Sequence, residues 1–141
     1  YTWDIYGYEA EPQYVTEIRS LIQQLKLAHR ITFHPSVPSK DLASLYQKHR
    51  LILNMATETI DKTMLEAMTC GCFPVVTGRN ATAIGLPLAP ATDEPAAIAA
   101  FIRDHTEAAP LDAAQLYGIV KSRHSLASIV ERMDEYIRSG T

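Results

Sequence analysis

The sequence predicts an α/β fold in which helices cover both faces of a doubly wound, mainly parallel sheet. Two near-continuous apolar runs, residues 51–56 and 73–77, have the composition of strands that are buried on both faces. A short helical segment that ends at Gly71 lies between them, which makes a strand–helix–strand unit. With 141 residues, of which 47% are hydrophobic, the chain is large enough to bury a core as one domain, residues 1–141.

The first part of the chain has the same alternation of strands and helices. Residues 3–7 predict a strand that ends in glycine, and residues 31–34 predict the next strand. Between them, apolar residues recur at helical spacing from about residue 13 to residue 27. Ser39 has the residue type of a helix N-cap, and the helix after it leads into the strand at residues 51–56.

The part of the chain after residue 77 predicts mostly helices. Residues 84–88 are compatible with a short strand. The prolines in and after this segment argue against a central position in the sheet, so the strand would lie at an edge. Residues 94–105 predict an amphipathic helix, and residues 112–139 predict one or two helices with a break near residues 122–125. We therefore expect four or five strands in the whole chain.

Composition narrows the classes of function. The formal net charge of −3 provides no basic field, so we expect no nucleic-acid partner. No apolar stretch approaches the roughly 20 residues of a transmembrane helix, which leaves only peripheral association with a membrane open. Cys70 and Cys72 are too few for a disulfide framework or a metal site. We therefore predict a cytoplasmic location and no metal.

The loop before the short helix is the candidate site, because open parallel sheets bind ligands at the carboxyl ends of their strands. The helix opens after Asp61, and the unpaired N–H groups of a helix start attract phosphate. From Lys62 to Glu66 the axial rise is about 6 Å, roughly the step from a diphosphate to the adjoining ribose. The Glu66 carboxylate could accept hydrogen bonds from both ribose hydroxyls. Glu58 would then lie on the other side of the phosphates, beside a transferred group.

Glu58 and Glu66 belong to a longer pattern: the second glutamate is followed by Ala-Met, a small residue, Cys-Gly and then Pro-Val-Val. The pattern resembles the retaining glycosyltransferases of the GT-B fold, in particular the bacterial group related to sucrose synthases and mannosyltransferases (glycosyltransferase family 4, or group 1). The resemblance covers nearly the whole chain. It implies a Rossmann-like half of a GT-B fold, the C-terminal, donor-binding domain of a longer enzyme. The start at Tyr1 instead of methionine agrees with a missing acceptor-binding N-terminal domain.

The resemblance implies a role for each candidate residue. Glu66 would hold the nucleotide ribose, and Glu58 would contact the donor sugar as the catalytic residue. The backbone of four consecutive residues would bind the diphosphate: Ile60, Asp61, Lys62 and Thr63. Three further donor-binding residues follow the first two strands: Gly7, Val37 and Pro38. The resemblance implies that the loop after the second strand, with Val37 and Pro38, contacts the nucleotide base. The family usually has Phe-Gly-Leu at residues 60–62, so Asp61 brings a repulsive charge that Lys62 would offset.

The implied activity is transfer of a hexosyl group from a nucleotide-diphosphate sugar to a glycan, a lipid or another acceptor. The resemblance implies retention of the anomeric configuration, no cofactor and no essential metal. Two alternatives stay open: a non-catalytic module for nucleotide sensing or subunit pairing, and a nucleotide-sugar epimerase. The departures from the family pattern at Pro35 and Asp61 motivate the first alternative. Without the surrounding pattern, Glu58 and Glu66 would also be compatible with a helix cap and a solvated charge.

Overall fold

The computed structural model of the chain describes residues 1–57 and 59–139. It divides into two compact units, Tyr1–Leu42 and Ala43–Thr141. Strands and helices follow each other in this order: β1 (Trp3–Tyr6), α1 (Pro12–Gln24), β2 (Ile31–His34), α2 (Ser39–Tyr46), β3 (Leu51–Asn54), α3 (Lys62–Thr69), β4 (Phe73–Val76), α4 (Gly78–Ile84), α5 (Pro95–His105), α6 (Ala113–His124) and α7 (Leu126–Ser139).

The first unit is a strand–helix–strand motif. Strands β1 and β2 pair in parallel, from Trp3 opposite Ile31 to Tyr6 opposite His34. The guanidinium of Arg19 in α1 lies 4.1 Å from the centre of the Phe33 ring, so α1 packs on the sheet face that carries Phe33. Because side chains alternate along a strand, Tyr6 and His34 belong to the opposite face.

The second unit contains a second parallel pair, β3 with β4, connected by α3. All four residues of β4 are buried, as the apolar run predicts. Strand β3 is less buried than predicted, because Leu53 keeps 40% of its surface exposed. A hydrophobic core forms around β4 from α3, α4, α5 and α6 and consists of these buried residues: Met64, Met68, Phe73, Val75, Val76, Ala81, Ile84, Leu86, Phe101 and Leu116.

The segment after β4 differs from the prediction of an edge strand at residues 84–88, which is wrong. Helix α4 occupies Gly78–Ile84, and residues 85–88 form a turn and an irregular loop. The Thr77 hydroxyl caps this helix by accepting a hydrogen bond from the Asn80 N–H at 3.2 Å. Gly85 ends it with a left-handed backbone at φ +94°, a conformation that glycine adopts without the Cβ penalty.

The C-terminal helices agree with the prediction of a break near residues 122–125. Helix α6 begins with a reciprocal capping box between Asp112 and Gln115, and it ends at His124. Ser125 has an extended backbone, after which α7 begins at Leu126. Across residues 1–57 and 59–139, no helix combines the length and the apolar character that crossing a membrane requires.

Candidate functional site

Helix α3 is fixed at both ends, which gives Glu66 a rigid support. The Asp61 carboxylate accepts a hydrogen bond from the Thr63 N–H at 3.1 Å, so Asp61 is the predicted N-cap. Three side chains of α3 are completely buried in the core: Met64, Ala67 and Met68. The helix ends before Gly71, whose φ of +83° lies in the left-handed region.

Asn54, the last residue of β3, connects the two ends of the candidate loop. Its amide nitrogen Nδ2 donates to Asp61 Oδ2 at 3.0 Å and to Thr63 Oγ1 at 3.2 Å. Its Oδ1 accepts a hydrogen bond from the Ala56 N–H at 3.1 Å. One asparagine therefore fixes where the loop leaves the strand and where it enters α3.

Asn80 holds the same loop from α4. The side chain is buried, with 3% of the residue exposed. Its Nδ2 donates to the carbonyl oxygens of Ala56 at 2.5 Å and of Thr59 at 3.4 Å. Neither Asn54 nor Asn80 is among the site residues predicted from the sequence. Asn54 could be recognised from the sequence as a polar residue at the end of an apolar strand. Nothing in the local sequence indicates that Asn80 contacts the loop.

The charge of Asp61 is stabilised within the loop. The hydrogen bond from the Thr63 backbone contributes most to holding the pKa of Asp61 below its ordinary value, and the hydrogen bond from Asn54 adds to it against the opposing effect of burial. Asp61 is therefore ionised at neutral pH. The Thr63 N–H, one of the groups predicted to bind a diphosphate, donates to Asp61 in this structure.

Glu66 presents a partly accessible carboxylate on α3. Its side chain is 33% exposed, and Oε1 lies 3.0 Å from the Nζ of Lys62, whose side chain is 85% exposed. The carboxylate also acts on Tyr46, a buried neighbour in the same unit. Burial raises the pKa of the Tyr46 phenol, and the negative charge of Glu66 raises it further. Glu66 is thus neither enclosed in the core nor isolated from other polar groups.

The remaining predicted residues fall into three groups. Ile60 packs against the core beside α3, so the structure brings residues 60–63 and Glu66 together. Gly7 follows β1 and donates its N–H to the carbonyl oxygen of His34 at 3.3 Å. Because β1 and β2 are parallel, Gly7 shares an edge of the first unit with the segment after β2, which contains Val37 and Pro38. Glu58 lies outside the described residues.

Two other groups of reactive side chains have structural surroundings. His34 Nε2 lies 2.7 Å from Asp4 Oδ1, and its ring stacks on Tyr6 with 4.4 Å between the ring centres. Cys72 is buried, and burial, with a smaller effect from Cys70, raises the pKa of Cys72 to about 12. The Cys72 thiol therefore stays protonated and packs as a small apolar side chain.

Comparisons with known proteins place the chain in a family. The sequence model of the family described as glycosyl transferases, group 1, matches residues 1–107. The crystal structure of Anabaena Alr3699/HepE in complex with UDP-glucose superimposes with a TM-score of 0.70 and 24% identity over 98% of this chain and 41% of that chain. The same protein in complex with UDP and glucose gives a TM-score of 0.71 and 23% identity over 98% and 40%. No curated protein matches the chain.

These similarities show the fold, and the chain spans about two fifths of the length of the HepE structures. The predicted α/β fold with parallel strands is confirmed, as is the resemblance to GT-B glycosyltransferases.

Proposed function

The chain belongs to the group 1 glycosyl transferases, and we propose that it binds the nucleotide-diphosphate sugar of a retaining hexosyl transfer. The observation that carries the proposal is the place of Glu66. Its accessible carboxylate lies one turn inside a helix whose start faces the loop after a parallel strand. That arrangement offers N–H groups to a diphosphate and an acceptor to the ribose that follows it.

The ion pair between Lys62 and Glu66 suggests how Glu66 would exchange Lys62 for the ribose when a nucleotide binds. The ammonium group of Lys62 lies 3.0 Å from the carboxylate of Glu66. A bound diphosphate would attract the mostly exposed Lys62 side chain, and a ribose diol would take its place on Glu66. Lys62 would then also offset the negative charge of Asp61 beside the phosphates.

In this proposal, catalysis consists of positioning and electrostatic stabilisation. The helix start and Lys62 would stabilise the departing diphosphate as its negative charge grows. Glu58 would contact the donor sugar beside the developing oxocarbenium-like centre, a role taken from the family resemblance. Gly7, Val37 and Pro38 would contact the nucleotide, with the acceptor bound by an N-terminal domain. The proposed chemistry requires no cofactor or metal.

Calorimetric titration with UDP, GDP and ADP tests the proposal. We expect Glu66→Ala to weaken binding of the preferred nucleotide by about 1.5–3 kcal/mol, which is about 10- to 150-fold in Kd, because a charged hydrogen-bond acceptor is lost. Glu131→Ala, which removes an exposed glutamate of α7, is the matched control and should bind normally. Unchanged affinity in Glu66→Ala would contradict the ribose role.

The role of Glu58 is tested by separating turnover from binding. In the enzyme that carries this chain, Glu58→Ala should lower the rate of sugar transfer and leave the affinity for free nucleoside diphosphate nearly unchanged. This split is expected because the residue would contact the sugar rather than the nucleotide. Equal losses in both measurements would argue against a sugar-side role.

A non-catalytic module is the second candidate, and the position of Asp61 is the observation that favours it. Asp61 places a negative charge at the helix start and occupies the Thr63 N–H, which reduces what this turn can offer a diphosphate. No binding of any nucleotide sugar would favour this candidate. A nucleotide-sugar epimerase would instead convert the donor in the absence of an acceptor, which product analysis detects.

A further inference from the structure

We propose that Asn80 is a positioning residue for the diphosphate: by holding two carbonyl groups of the candidate loop, it directs the N–H groups that follow them toward the ligand. The inference rests on the proposed donor-binding function. It assigns to α4 a part in that function, although no residue of α4 belongs to the family pattern that marks the site.

Asn80 is itself held in place by hydrogen bonds of its backbone and side chain. The residue is buried, and its N–H donates to the Thr77 hydroxyl that caps α4. Its amide nitrogen donates to the carbonyl oxygens of both Ala56 and Thr59. A buried amide with this geometry stabilises one arrangement of the loop, since other arrangements would leave its donor unpaired.

The geometry of the peptide bond fixes the direction of the N–H group that follows each carbonyl. No peptide bond among the described residues is cis. In a planar trans peptide, the C=O of one residue and the N–H of the next point in opposite directions. Because the carbonyls of Ala56 and Thr59 face Asn80, the N–H groups of Thr57 and Ile60 point away from it.

The N–H groups of Thr57 and Ile60 are the donors that Asn80 would direct. Within residues 1–57 and 59–139, neither the Thr57 N–H nor the Ile60 N–H has a hydrogen-bond acceptor. Ile60 packs against the core and belongs to the predicted diphosphate-binding backbone. Oriented N–H donors next to a helix start are the chemistry that binds phosphate oxygens. Asn80 thus fixes the direction of two donors without itself touching the ligand.

Asn80→Asp is the most informative substitution, because the carboxylate has the shape of the amide but cannot donate. The introduced carboxylate would face the carbonyl oxygens of Ala56 and Thr59 and repel them, so the loop would lose both hydrogen bonds. We expect the affinity for UDP to fall at least about tenfold, and the affinity for uridine, which lacks phosphates, to change less than about twofold. Thr82→Ala on the same helix is the matched control, because among the described residues the Thr82 hydroxyl donates only to the Gly78 carbonyl within α4.

Asn80→Ala supplies the second variant, since it removes the donor without adding a charge. In both variants, circular dichroism and urea unfolding establish that the chain folds. NMR provides a direct readout: UDP should shift the amide resonances of Thr57 and Ile60 in the wild-type chain and shift them much less in a folded Asn80 variant. A purely structural role would lower UDP and uridine binding alike, which would overturn the inference.

The two proposals fail in different ways. If the wild-type chain does not bind UDP or another nucleoside diphosphate, the donor-binding proposal fails and the role of Asn80 fails with it. If the wild-type chain binds UDP and Glu66→Ala weakens that binding, but both Asn80 variants bind UDP normally, only the positioning role is refuted. If neither Asn80 variant folds, normal UDP-induced amide shifts in an Asn80→Gln chain, which retains the donor, support the role and absent shifts refute it.

Discussion

The two units of the chain contain the same strand–helix–strand motif but differ in how they are stabilised. In the first unit, Ile22 is the one buried apolar residue among those described, and Ile5 in β1 keeps 42% of its surface exposed. In the second unit, β4 is buried along its whole length and α3 packs three buried side chains into the core. The local hydrophobic pattern therefore predicts the strand–helix–strand motif in both units, whereas the extent of the buried core determines which of the two motifs is held more firmly.

The candidate residues follow this difference. Ile60 and Glu66 lie next to or on an element that the core holds in place. Gly7, in contrast, lies at an edge where a hydrogen bond between Asp4 and His34 and a stacked tyrosine–histidine pair provide the contacts. A site that must hold donors and acceptors at fixed distances needs rigid supports, so the second unit is the better place for the phosphate and the ribose.

The largest expected contrast is in the cost of removing one apolar side chain from each unit. Phe73→Ala should destabilise the second unit by about 3–5 kcal/mol, because Phe73 is fully buried and packs against Phe101. Ile5→Ala in the exposed strand β1 should cost less than about 1.5 kcal/mol. Urea unfolding measures both free energies, and similar costs would contradict the difference between the units.

A second contrast uses two glycines of the second unit. Gly71→Ala should cost about 1–3 kcal/mol, because φ is +83° and a Cβ there would lie 2.9 Å from the Cβ of Ala113. Gly118→Ala should instead stabilise the chain by about 0.5–1 kcal/mol, since Gly118 is helical and a Cβ there meets nothing. Thermal unfolding measures both, and a stabilising Gly71→Ala would show that the turn after α3 is not constrained.

The smallest of the three contrasts compares two substitutions of the α3 cap. Asp61→Ala should cost about 0.5–2 kcal/mol at neutral pH, and Asp61→Ser, a neutral cap, should cost less. Because the folded chain lowers the pKa of Asp61, its contribution is present above the ordinary aspartate pKa of about 3.9 and is lost as pH falls through the lower folded value. The difference from wild type in urea unfolding should therefore shrink below about pH 4. A difference that stays constant with pH would contradict an ionised cap.

Short-range sequence signals predicted much of the fold and part of the site. The Asp61 cap, the stop at Gly71 and the break before α7 each depend on residues within a few positions of one another. Helix α4 was missed because residues 78–95 are rich in glycine, proline, alanine and threonine, while the Thr77 cap and the left-handed Gly85 favour a helix. In this segment, the residues that begin and end the helix determine the structure more strongly than the overall amino-acid composition does.

Long-range contacts explain what the sequence could not provide. Asn80 reaches carbonyl oxygens 24 and 21 residues earlier in the chain, and no local pattern encodes such a pairing. Likewise, the apolar run of β3 indicates a strand, but the exposure of Leu53 depends on which elements pack over it. The ion pair between Lys62 and Glu66 is, in contrast, a local contact, because the two residues lie four positions apart on one helix.

The most direct test of the central claim compares UDP with 2′,3′-dideoxy-UDP on wild-type and Glu66→Ala chains by calorimetry. If Glu66 accepts hydrogen bonds from the ribose diol, the wild-type chain loses about 10- to 150-fold in affinity when the diol is removed, and Glu66→Ala binds both nucleotides equally. An equal loss in both chains would contradict the claim, because the diol would then be recognised by other groups.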